Sequence, residues 1–438
     1  MPNKVLHTVG IMDPNSLSFR LSLEGLFAYL QPNIDYQDKI HQVKTRRISC
    51  RPYNTLGAKS SCGAIINRGA HWNPHYNSFF MIIMSKVYLL NDMVSFKAID
   101  KNTAYAQMYE LGLHIPPTWA LPQQDNSEIY NSKSITPELV FSEYELFDLR
   151  EIGREIGYPA YLKPQNGGGW VGVERIEDEE ELLQKYNNSG DRPMNLQKAI
   201  QFREFVRSLG VGPQILPMHY NPYAPRSHDR YLRSETQVVE QKFLTPKEIQ
   251  EIRQTTKIVN AFYGWDHNSC EILLGFDGVS YPIDYANAYP DSSLISLHFH
   301  FPEIVKAMVR WMLFVVVSGK KKRVDFAYHW NRFFQMAEDA KKQDWSYETL
   351  LKNYEKLADE HFETERFQEF CEKKLGQEFE EKSLEFFQSD DFFKILRAEV
   401  RNYFKYPWEI EPKLVHYENI HRLWIQNERE KLLSSQSS

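Results

Sequence analysis

The stretch that decides the fold runs from residue 161 to residue 176 and reads YLKPQNGGGWVGVERI. An apolar run closes on Lys163, three glycines follow, and a second apolar run begins after Gly172. This pattern predicts a strand, a glycine-rich turn and a second strand. Glycine lets a backbone come close to a ligand and exposes N–H groups to phosphate oxygens, and the lysine adds a compact positive charge. The stretch therefore indicates a phosphate-binding flap, with a hairpin that binds nothing as the alternative.

Gly167, Gly169 and Gly172 also match G-x-G-x-x-G, a pattern that two other nucleotide-binding folds use. The dinucleotide-binding version needs a helix after the turn, whereas VGVERI is typical of a strand. The protein-kinase version needs its lysine on the following strand and an H-R-D motif later in the chain. Here the lysine lies before the turn, and the nearest sequence to H-R-D is HDR at 228–230. The context therefore excludes both versions.

A second informative stretch is CEILLGFDGVSYPIDYANAYPD at residues 270–291. The dipeptide DG between apolar runs predicts a two-residue hairpin turn, which places Glu271 directly opposite Asp284 on the face away from the core. Like charges placed opposite each other are destabilising unless a cation bridges them or one takes a proton. Mg²⁺ prefers oxygen ligands, and Asn287 offers an amide oxygen beside the two carboxylates. The alternative is a pair of solvated carboxylates.

The composition is ordinary for a soluble globular protein of two or three domains, with 438 residues, 42% hydrophobic and 25% charged. A net charge of −6 gives no general attraction for nucleic acid or anionic lipid. The four cysteines form no C-x-x-C pair, so we expect neither a zinc knuckle nor a disulfide framework. A reducing cytoplasm is the location that this cysteine usage favours.

Three regions differ in composition and hydrophobic pattern, at residues 1–95, 96–318 and 319–438. The first mixes short apolar runs with turns, and the second alternates helical patterns with strand pairs. The third is poor in glycine and carries Glu, Lys, Phe and Tyr at helical spacing, which predicts helices. Near the end of the second region, AMVRWMLFVVV is too short to span a bilayer and predicts a buried helix. We expect the following GKKKR to be the solvated end of that helix.

In their order along residues 60–300, these motifs resemble those of the ATP-grasp superfamily. IDKNTAYAQMYELGLHIPPT resembles the segment that carries a first lysine, here Lys101 with Lys97 as the alternative. LQKAI resembles the hinge strand that binds adenine through its backbone, and EFVRSLGVG the strand whose arginine approaches the γ-phosphate. The site residues that the resemblance implies are catalytic Arg207; ATP-binding Lys101, Lys163, Gly167, Gly168, Gly169, Gln197, Lys198 and Ile200; and metal-binding Glu271, Asp284 and Asn287.

One spacing departs from the family pattern. The family has one residue between its acid and its asparagine, whereas two residues separate Asp284 from Asn287 here. A one-residue bulge after Asp284 reconciles the two spacings. Without that bulge, Asn287 is not a metal ligand.

The resemblance implies an α+β ATP-grasp fold. Its parts would be a Rossmann-like domain at 1–95, an ATP-grasp domain of two subdomains clamping ATP at 96–318, and a helical C-terminal region at 319–438. The implied cofactors are ATP and two Mg²⁺ ions, with Mn²⁺ as a substitute. The implied reaction activates a carboxylate as an acylphosphate, captures it with an amine or thiol, and releases ADP and phosphate.

The expected partners are a small-molecule or peptide carboxylate and an amine, with no nucleic acid and no membrane. Homo-oligomer formation through the C-terminal helices is a further expectation. Two alternatives stay open: an ATP-dependent phosphotransferase, and a nucleotide-binding module that works through protein interaction without turnover. Turnover of ATP separates both enzymes from the module.

Other polar residues are weaker candidates. Pro74 lies between His71 and His75 and argues against a zinc-binding helix face. Arg68 follows an apolar strand, at the position where α/β sheets bind ligands. We expect Arg68 to form a surface salt bridge or, as the alternative, to contact a substrate.

Overall fold

The chain divides into two compact units in the computed structural model. The large unit comprises Met1–Lys97, Arg207–Ser269 and Ala288–Ser438, and the small unit comprises Ala98–Val206 and Cys270–Asn287. The residues that the structure describes are 3–14, 16–49, 51–70, 73–91, 93–94, 100–125, 145–167, 170–224, 229–231, 239–322 and 326–436.

The N-terminal part of the large unit is built on a five-stranded sheet with strand order β2-β3-β1-β4-β5. Its strands are β1 (Asn3–Met12), β2 (Asn33–Tyr36), β3 (Lys39–Arg47), β4 (Ala64–Asn67) and β5 (Tyr88–Leu90). β1 runs parallel to β3 and β4, β4 runs parallel to β5, and β2 is antiparallel to β3. All four residues of β4 are buried, as expected of an inner strand of a parallel sheet.

Two helices accompany this sheet, α1 (Leu17–Leu30) and α2 (Pro74–Ile83), together with a short 3₁₀ turn at Thr55–Gly57. Ser16 caps α1, and its side chain accepts a hydrogen bond from the backbone N–H of Phe19 at 3.1 Å. α1 then buries one face, which includes Phe19 and Leu23.

The small unit contains the helix α3 (Lys101–Glu110) and an antiparallel sheet with strand order β6-β9-β7-β8. The strands of this sheet are β6 (Thr118–Leu121), β7 (Ala160–Pro164), β8 (Glu174–Ile176) and β9 (Met194–Lys198). Helices α4 (Leu149–Ile156) and α5 (Glu179–Asn187) share a core with it, which includes Leu162, Leu182 and Leu196. The predicted strand 171–176 is shorter than expected, because only its last three residues pair.

A third sheet has the strand order β11-β10-β12-β13. Its strands are β10 (Phe202–Val211), β11 (Gln214–His219), β12 (His267–Gly275) and β13 (Ser280–Asp284), and α6 (Pro246–Tyr263) precedes β12. α6 begins with a capping box, in which Thr245 and Glu248 exchange side-chain-to-backbone hydrogen bonds.

The helical region that the sequence predicted after residue 319 is confirmed. The helices from residue 294 onward are α7 (Leu294–Leu297), α8 (Phe301–Ser318), α9 (Phe326–Lys342), α10 (Tyr347–Phe362), α11 (Thr364–Phe370), α12 (Gly376–Gln388), α13 (Asp390–Tyr403) and α14 (Pro407–Gln436). A 3₁₀ turn at His298–His300 and a π-helical turn at Cys371–Leu375 connect some of them. No helix among the described residues is long and apolar enough to cross a membrane.

The C-terminal helices pack directly on the N-terminal part of the large unit. A Cβ added to Gly25 of α1 would lie 2.8 Å from the ring of Phe386 on α12, so this contact leaves no room for a side chain at position 25. Earlier in α12, Glu380 forms an ion pair with Arg310 of α8. The same carboxylate contacts Lys306 at 2.8 Å. The C-terminal region is therefore part of the same compact unit as residues 1–97.

Two lysines of the basic segment after α8, Lys320 and Lys322, are not solvated as the sequence predicted, whereas Lys321 is exposed and Arg323 lies outside the described residues. Lys320 lies 3.1 Å from Glu363 Oε1, Lys322 pairs with Asp266, and both lysine side chains are only 5% exposed. Asp266 is fully buried and also accepts a hydrogen bond from the Tyr88 hydroxyl at 2.7 Å. A buried carboxylate is stable only with such partners, which explains why the lysines are drawn inward.

Candidate functional site

The hairpin of β12 and β13 places Glu271 directly opposite Asp284, as the sequence predicted. The turn itself differs from the prediction. The N–H of Gly275 donates to Val279 O at 2.9 Å, so residues 276–278 form a three-residue turn, with Gly278 at φ +79°. The register is therefore one residue away from the predicted one along most of the hairpin.

A bulge between Glu271 and Ile272 restores the predicted pair. It lies ahead of Asp284, whereas the spacing argument placed a bulge after that residue. The predicted assignment of faces is wrong near the turn, because a one-residue slip moves side chains to the other face. A two-residue turn at Asp277 and Gly278 places Phe276 on the core face and Ser280 on the surface face, whereas Phe276 is 73% exposed and Ser280 is buried.

Lys101 approaches the same hairpin from α3. Asp100 begins this helix, because its Oδ1 accepts a hydrogen bond from Thr103 N at 2.8 Å. Lys101 is the first residue of α3, and its Nζ lies 3.0 Å from Asp284 Oδ2. The lysine side chain is 11% exposed and the aspartate side chain 28% exposed. Lys101 therefore forms an ion pair with Asp284, one of the two carboxylates that face each other across the hairpin.

Lys163 reaches the cluster from β7. Its Nζ donates to Gln197 Oε1 at 2.6 Å and to the carbonyl oxygen of Ile283 at 3.4 Å. Gln197 lies opposite Tyr161 on the neighbouring strand β9, and its side-chain amide donates to the Thr118 hydroxyl at 2.8 Å. Gln197 is thus held on both sides, and it fixes the position of the Lys163 amino group.

Burial lowers the pKa of the Lys163 amino group to about 8 from its ordinary value of 10.5. Asp284 and Glu271 act in the opposite direction, and Lys101 adds to the lowering. The cluster therefore contains two amino groups and two carboxylates. The Lys163 amino group loses its proton at a lower pH than an ordinary lysine does. Such a perturbed lysine next to opposite charges is typical of a functional site.

Tyr105 is a member of this cluster that the sequence analysis missed. It lies four residues after Lys101 on α3, and its hydroxyl donates to the carbonyl oxygen of Ile283 at 2.7 Å. Burial, and then the charges of Asp284 and Glu271, raise the pKa of this hydroxyl well above its ordinary value. Lys163 Nζ lies 5.9 Å from the centroid of its ring. The i, i+4 spacing from Lys101 was the available signal, since residues four apart share a helix face.

The structure describes only part of the glycine-rich turn. Gly167 has φ +118°, a conformation that side chains rarely adopt, so a glycine is required there. Gly168 and Gly169 lie outside the described residues, and so does Lys97. Trp170, the next described residue, also has a positive φ of 67°.

The remaining predicted site residues are placed as follows. Lys198 is exposed at the end of β9, and its N–H donates to Pro117 O at 2.9 Å, while Ile200 is half-buried. Asn287 is half-buried and is the last residue of the small unit. Arg207 is buried on β10 and is the first residue of its segment of the large unit.

Arg207 contacts two tyrosines of the large unit. Its Nη1 donates to the Tyr231 hydroxyl at 3.1 Å, and its guanidinium carbon lies 5.8 Å from the ring centroid of Tyr220. Burial raises the pKa of the Tyr231 hydroxyl, so this hydroxyl stays protonated as an acceptor for the guanidinium.

Arg68 does not form the surface salt bridge that the sequence favoured. Its Nε donates to Asp13 Oδ2 at 3.0 Å, and the two side chains are 6% and 0% exposed. Its Nη2 donates to Pro290 O at 2.8 Å, and its guanidinium lies 5.2 Å from the ring centroid of Phe19. Arg68 is therefore a buried residue that ties β4 to the segment near residue 290.

The carboxylate pair suits a hard cation. Among the residues that the structure describes, no group of three or more His, Cys, Asp or Glu side chains could hold a metal ion. Mg²⁺ needs fewer protein ligands than that, because it commonly binds one or two carboxylates and completes its shell with water and substrate phosphates. The oxygen donors of Glu271 and Asp284 fit this requirement, with Lys101 at one of the Asp284 oxygens.

The chain was compared with known proteins. No protein-family model matches the chain, and no curated protein matches it. One similar solved structure is a RimK-domain ATP-grasp protein of Sphaerobacter thermophilus, 15% identical with a TM-score of 0.45, covering 69% of this chain and 98% of that chain. Another is the D-alanine–D-alanine ligase of Bacillus anthracis with ATP, 13% identical with a TM-score of 0.46, covering 72% of this chain and 98% of that one.

A third similar structure is the macrocyclase MdnC of Microcystis aeruginosa bound with the precursor peptide MdnA. It is 13% identical with a TM-score of 0.45, and the match covers 72% of this chain and 100% of that chain. Of these three solved structures, the first is an ATP-grasp protein and the second is a ligase.

Proposed function

We propose that this chain is an ATP- and Mg²⁺-dependent ligase that activates a carboxylate as an acylphosphate and joins it to an amine. One observation supports this proposal above all. Lys101 from a helix, Lys163 from a strand and Asp284 from a hairpin lie far apart in sequence and form one charged cluster. Buried lysines beside a carboxylate pair suit the binding of a nucleoside triphosphate with its metal ion.

In this proposal, the two lysines bind phosphate oxygens of ATP. Lys163 keeps its position through Gln197, and a bound phosphate raises the pKa of the lysine by supplying the opposite charge. Lys101 exchanges Asp284 for a phosphate oxygen, which frees that carboxylate to bind metal. The turn at Gly167, Gly168 and Gly169 covers the phosphates, and the backbone of Lys198 and Ile200 holds the adenine.

The two carboxylates and Arg207 are proposed to act on the phosphoryl group that is transferred from ATP. Glu271, Asp284 and Asn287 would hold Mg²⁺ in two positions that Mn²⁺ can also occupy. When bound, the metal supplies positive charge against the phosphoryl oxygens. Arg207 is proposed to stabilise the charge that develops on the transferred phosphoryl group.

The remaining parts of the proposal concern the surroundings of the site. The parallel sheet at the N-terminus would be the Rossmann-like domain that precedes the ATP-grasp domain, within the division 1–95, 96–318 and 319–438. The enzyme would work in the cytoplasm on a small-molecule or peptide carboxylate and an amine. Its C-terminal helices would mediate homo-oligomer formation.

The test is substrate-dependent release of ADP. Amino acids and short peptides are screened as carboxylates, with and without amines, and the nucleotide products are separated by chromatography. We expect ADP and phosphate, and hydroxylamine should capture the activated carboxylate as a hydroxamate. Release of AMP and pyrophosphate would refute the acylphosphate route.

The reaction products and a pair of variants distinguish the ligase from the two alternatives. ADP without free phosphate, together with a phosphorylated product, indicates a phosphotransferase, and binding of ATP without turnover indicates an interaction module. Lys163→Met should abolish ADP release. Lys185→Met, at a lysine of the small unit that is 37% exposed and paired with Glu174, should leave release unchanged.

A further inference from the structure

A basic cavity lies in the large unit, beside the loop that joins β3 to β4. Its volume is about 380 Å³. Four cationic residues line it, namely Arg46, Arg47, Arg51 and Lys59, and the described residues that line it include no aspartate or glutamate. We call this the basic cavity. Its size falls within the range of small-molecule pockets, roughly 300–1,000 Å³.

The cations of the basic cavity are exposed, and they have no carboxylate partner among the described residues. Arg46 donates to the Ser61 hydroxyl at 3.2 Å, and within the part of the chain that the structure describes none of the four forms an ion pair. The chain as a whole has a net charge of −6, so carboxylates are plentiful elsewhere. Like charges gathered in one concave surface repel each other, and an anion in the cavity removes that repulsion.

The cavity also has an aromatic wall. The rings of Tyr53 and His75 have centroids 4.9 Å apart, and those of Tyr53 and Phe79 are 5.1 Å apart. All three line the cavity. His75 Nε2 lies 2.9 Å from the carbonyl oxygen of Arg51, which joins the loop to the first turn of α2. The aromatic rings and the arginines therefore belong to one connected surface.

We infer that the basic cavity binds a small ligand in which an anionic group, phosphate or carboxylate, is attached to a planar ring. The guanidinium groups of Arg47 and Arg51 form charge-assisted hydrogen bonds with the anion, because planar guanidinium matches these oxygens in pairs. The ring of the ligand packs against Tyr53. The inference uses only the large unit and does not depend on the proposed reaction.

Calorimetric titration of the full chain with phenyl phosphate and with inorganic phosphate tests this inference. We expect saturable binding of phenyl phosphate, roughly tenfold tighter than that of inorganic phosphate because only the former carries a ring. The double variant Arg47→Glu, Arg51→Glu should weaken phenyl phosphate binding tenfold or more, since it replaces two charged donors by repelling carboxylates. Benzoate in place of phenyl phosphate shows whether the carboxylate form of the ligand is preferred.

Lys44→Glu is the matched control. Lys44 is exposed on the same strand β3 as Arg47 but does not line the cavity, so Lys44→Glu changes the net charge as much as Arg47→Glu alone and should leave binding unchanged. Tyr53→Ala should abolish the preference for phenyl phosphate over inorganic phosphate. Melting temperatures of all variants verify that they fold.

Three results would overturn the inference. The first is no saturable binding of phenyl phosphate to the wild type. The second is an equal loss of affinity in Lys44→Glu and in the double variant, which would mean a general charge effect. The third is tight binding of a single-stranded oligonucleotide that the double variant loses, with phenyl phosphate unable to compete.

Discussion

The charge on Lys163 is expected to destabilise the ligand-free protein. The amino group has a pKa of about 8 in the fold and returns to 10.5 in the unfolded chain. Between these two values the unfolded chain binds more protons, so the free energy of unfolding rises as pH increases through that window. Below pH 8 the full destabilisation is present. This sign is opposite to that of a lysine stabilised by a surface ion pair.

The two pKa values set the magnitude. They correspond to roughly 3 kcal/mol of destabilisation at pH 7, most of which is recovered by pH 10. Lys163→Met keeps the length of the side chain and removes the charge. It also leaves the Gln197 amide oxygen without its donor, at a cost of about 1–3 kcal/mol. The net change at pH 7 is therefore small, and the dependence on pH is the informative quantity.

The assay is urea unfolding of the wild type, Lys163→Met and the control Lys185→Met at pH 7 and pH 10. We expect the rise in unfolding free energy between the two pH values to be about 2–3 kcal/mol smaller in Lys163→Met than in the other two proteins. If all three proteins show the same rise, the amino group is not perturbed by burial and the reasoning is refuted.

Three other predictions follow from described contacts. Asp284→Asn should lower Mg²⁺-dependent ADP release about a hundredfold, as expected for the loss of a charge that acts on the transferred phosphoryl group. Its melting temperature should stay near that of the wild type, because relief of the facing carboxylate offsets the loss of the Lys101 ion pair. ATP binding at pH 8 should take up roughly half a proton as Lys163 becomes fully charged. Calorimetry in two buffers of different ionisation enthalpy measures this uptake, which Lys163→Met should lack. Gly25→Ala should destabilise by about 1–3 kcal/mol through overpacking, although alanine normally favours a helix. In urea unfolding, Gly25→Ala should cost far less in a Phe386→Leu background than in the wild type, since the ring is the atom group 2.8 Å from the new Cβ.

Local signals in the sequence predicted local structure well. In the sequence, Gly112, Gly157 and Gly319 each mark the end of a helical pattern, and in the structure all three follow a helix and have positive φ. Glycine adopts this conformation without steric cost, so it marks a helix end whatever the rest of the fold does. The pairing of Glu271 with Asp284 was predicted from the hairpin pattern, although a longer turn and a compensating bulge produce it.

Partners distant in sequence could not be predicted from the same signals. Gln197 lies 34 residues from Lys163, and nothing near the lysine indicates that an amide will bind it. The pairing of Lys322 with Asp266, 56 residues away, turned a predicted surface segment into a buried one. Burial depends on the whole fold, whereas caps and turns depend on a few neighbouring residues.

The contact between Gly25 and Phe386 bears on how the chain is made. About 360 residues separate the two, and a ribosome adds roughly 5–20 residues per second, so the ring arrives about 20–70 s after the glycine. During that interval the apolar face of α1 lacks the helices that cover it in the finished protein. The face of α1 therefore stays uncovered until the last part of the chain is made, and a ribosome-bound intermediate with an exposed helix face is a natural substrate for chaperones.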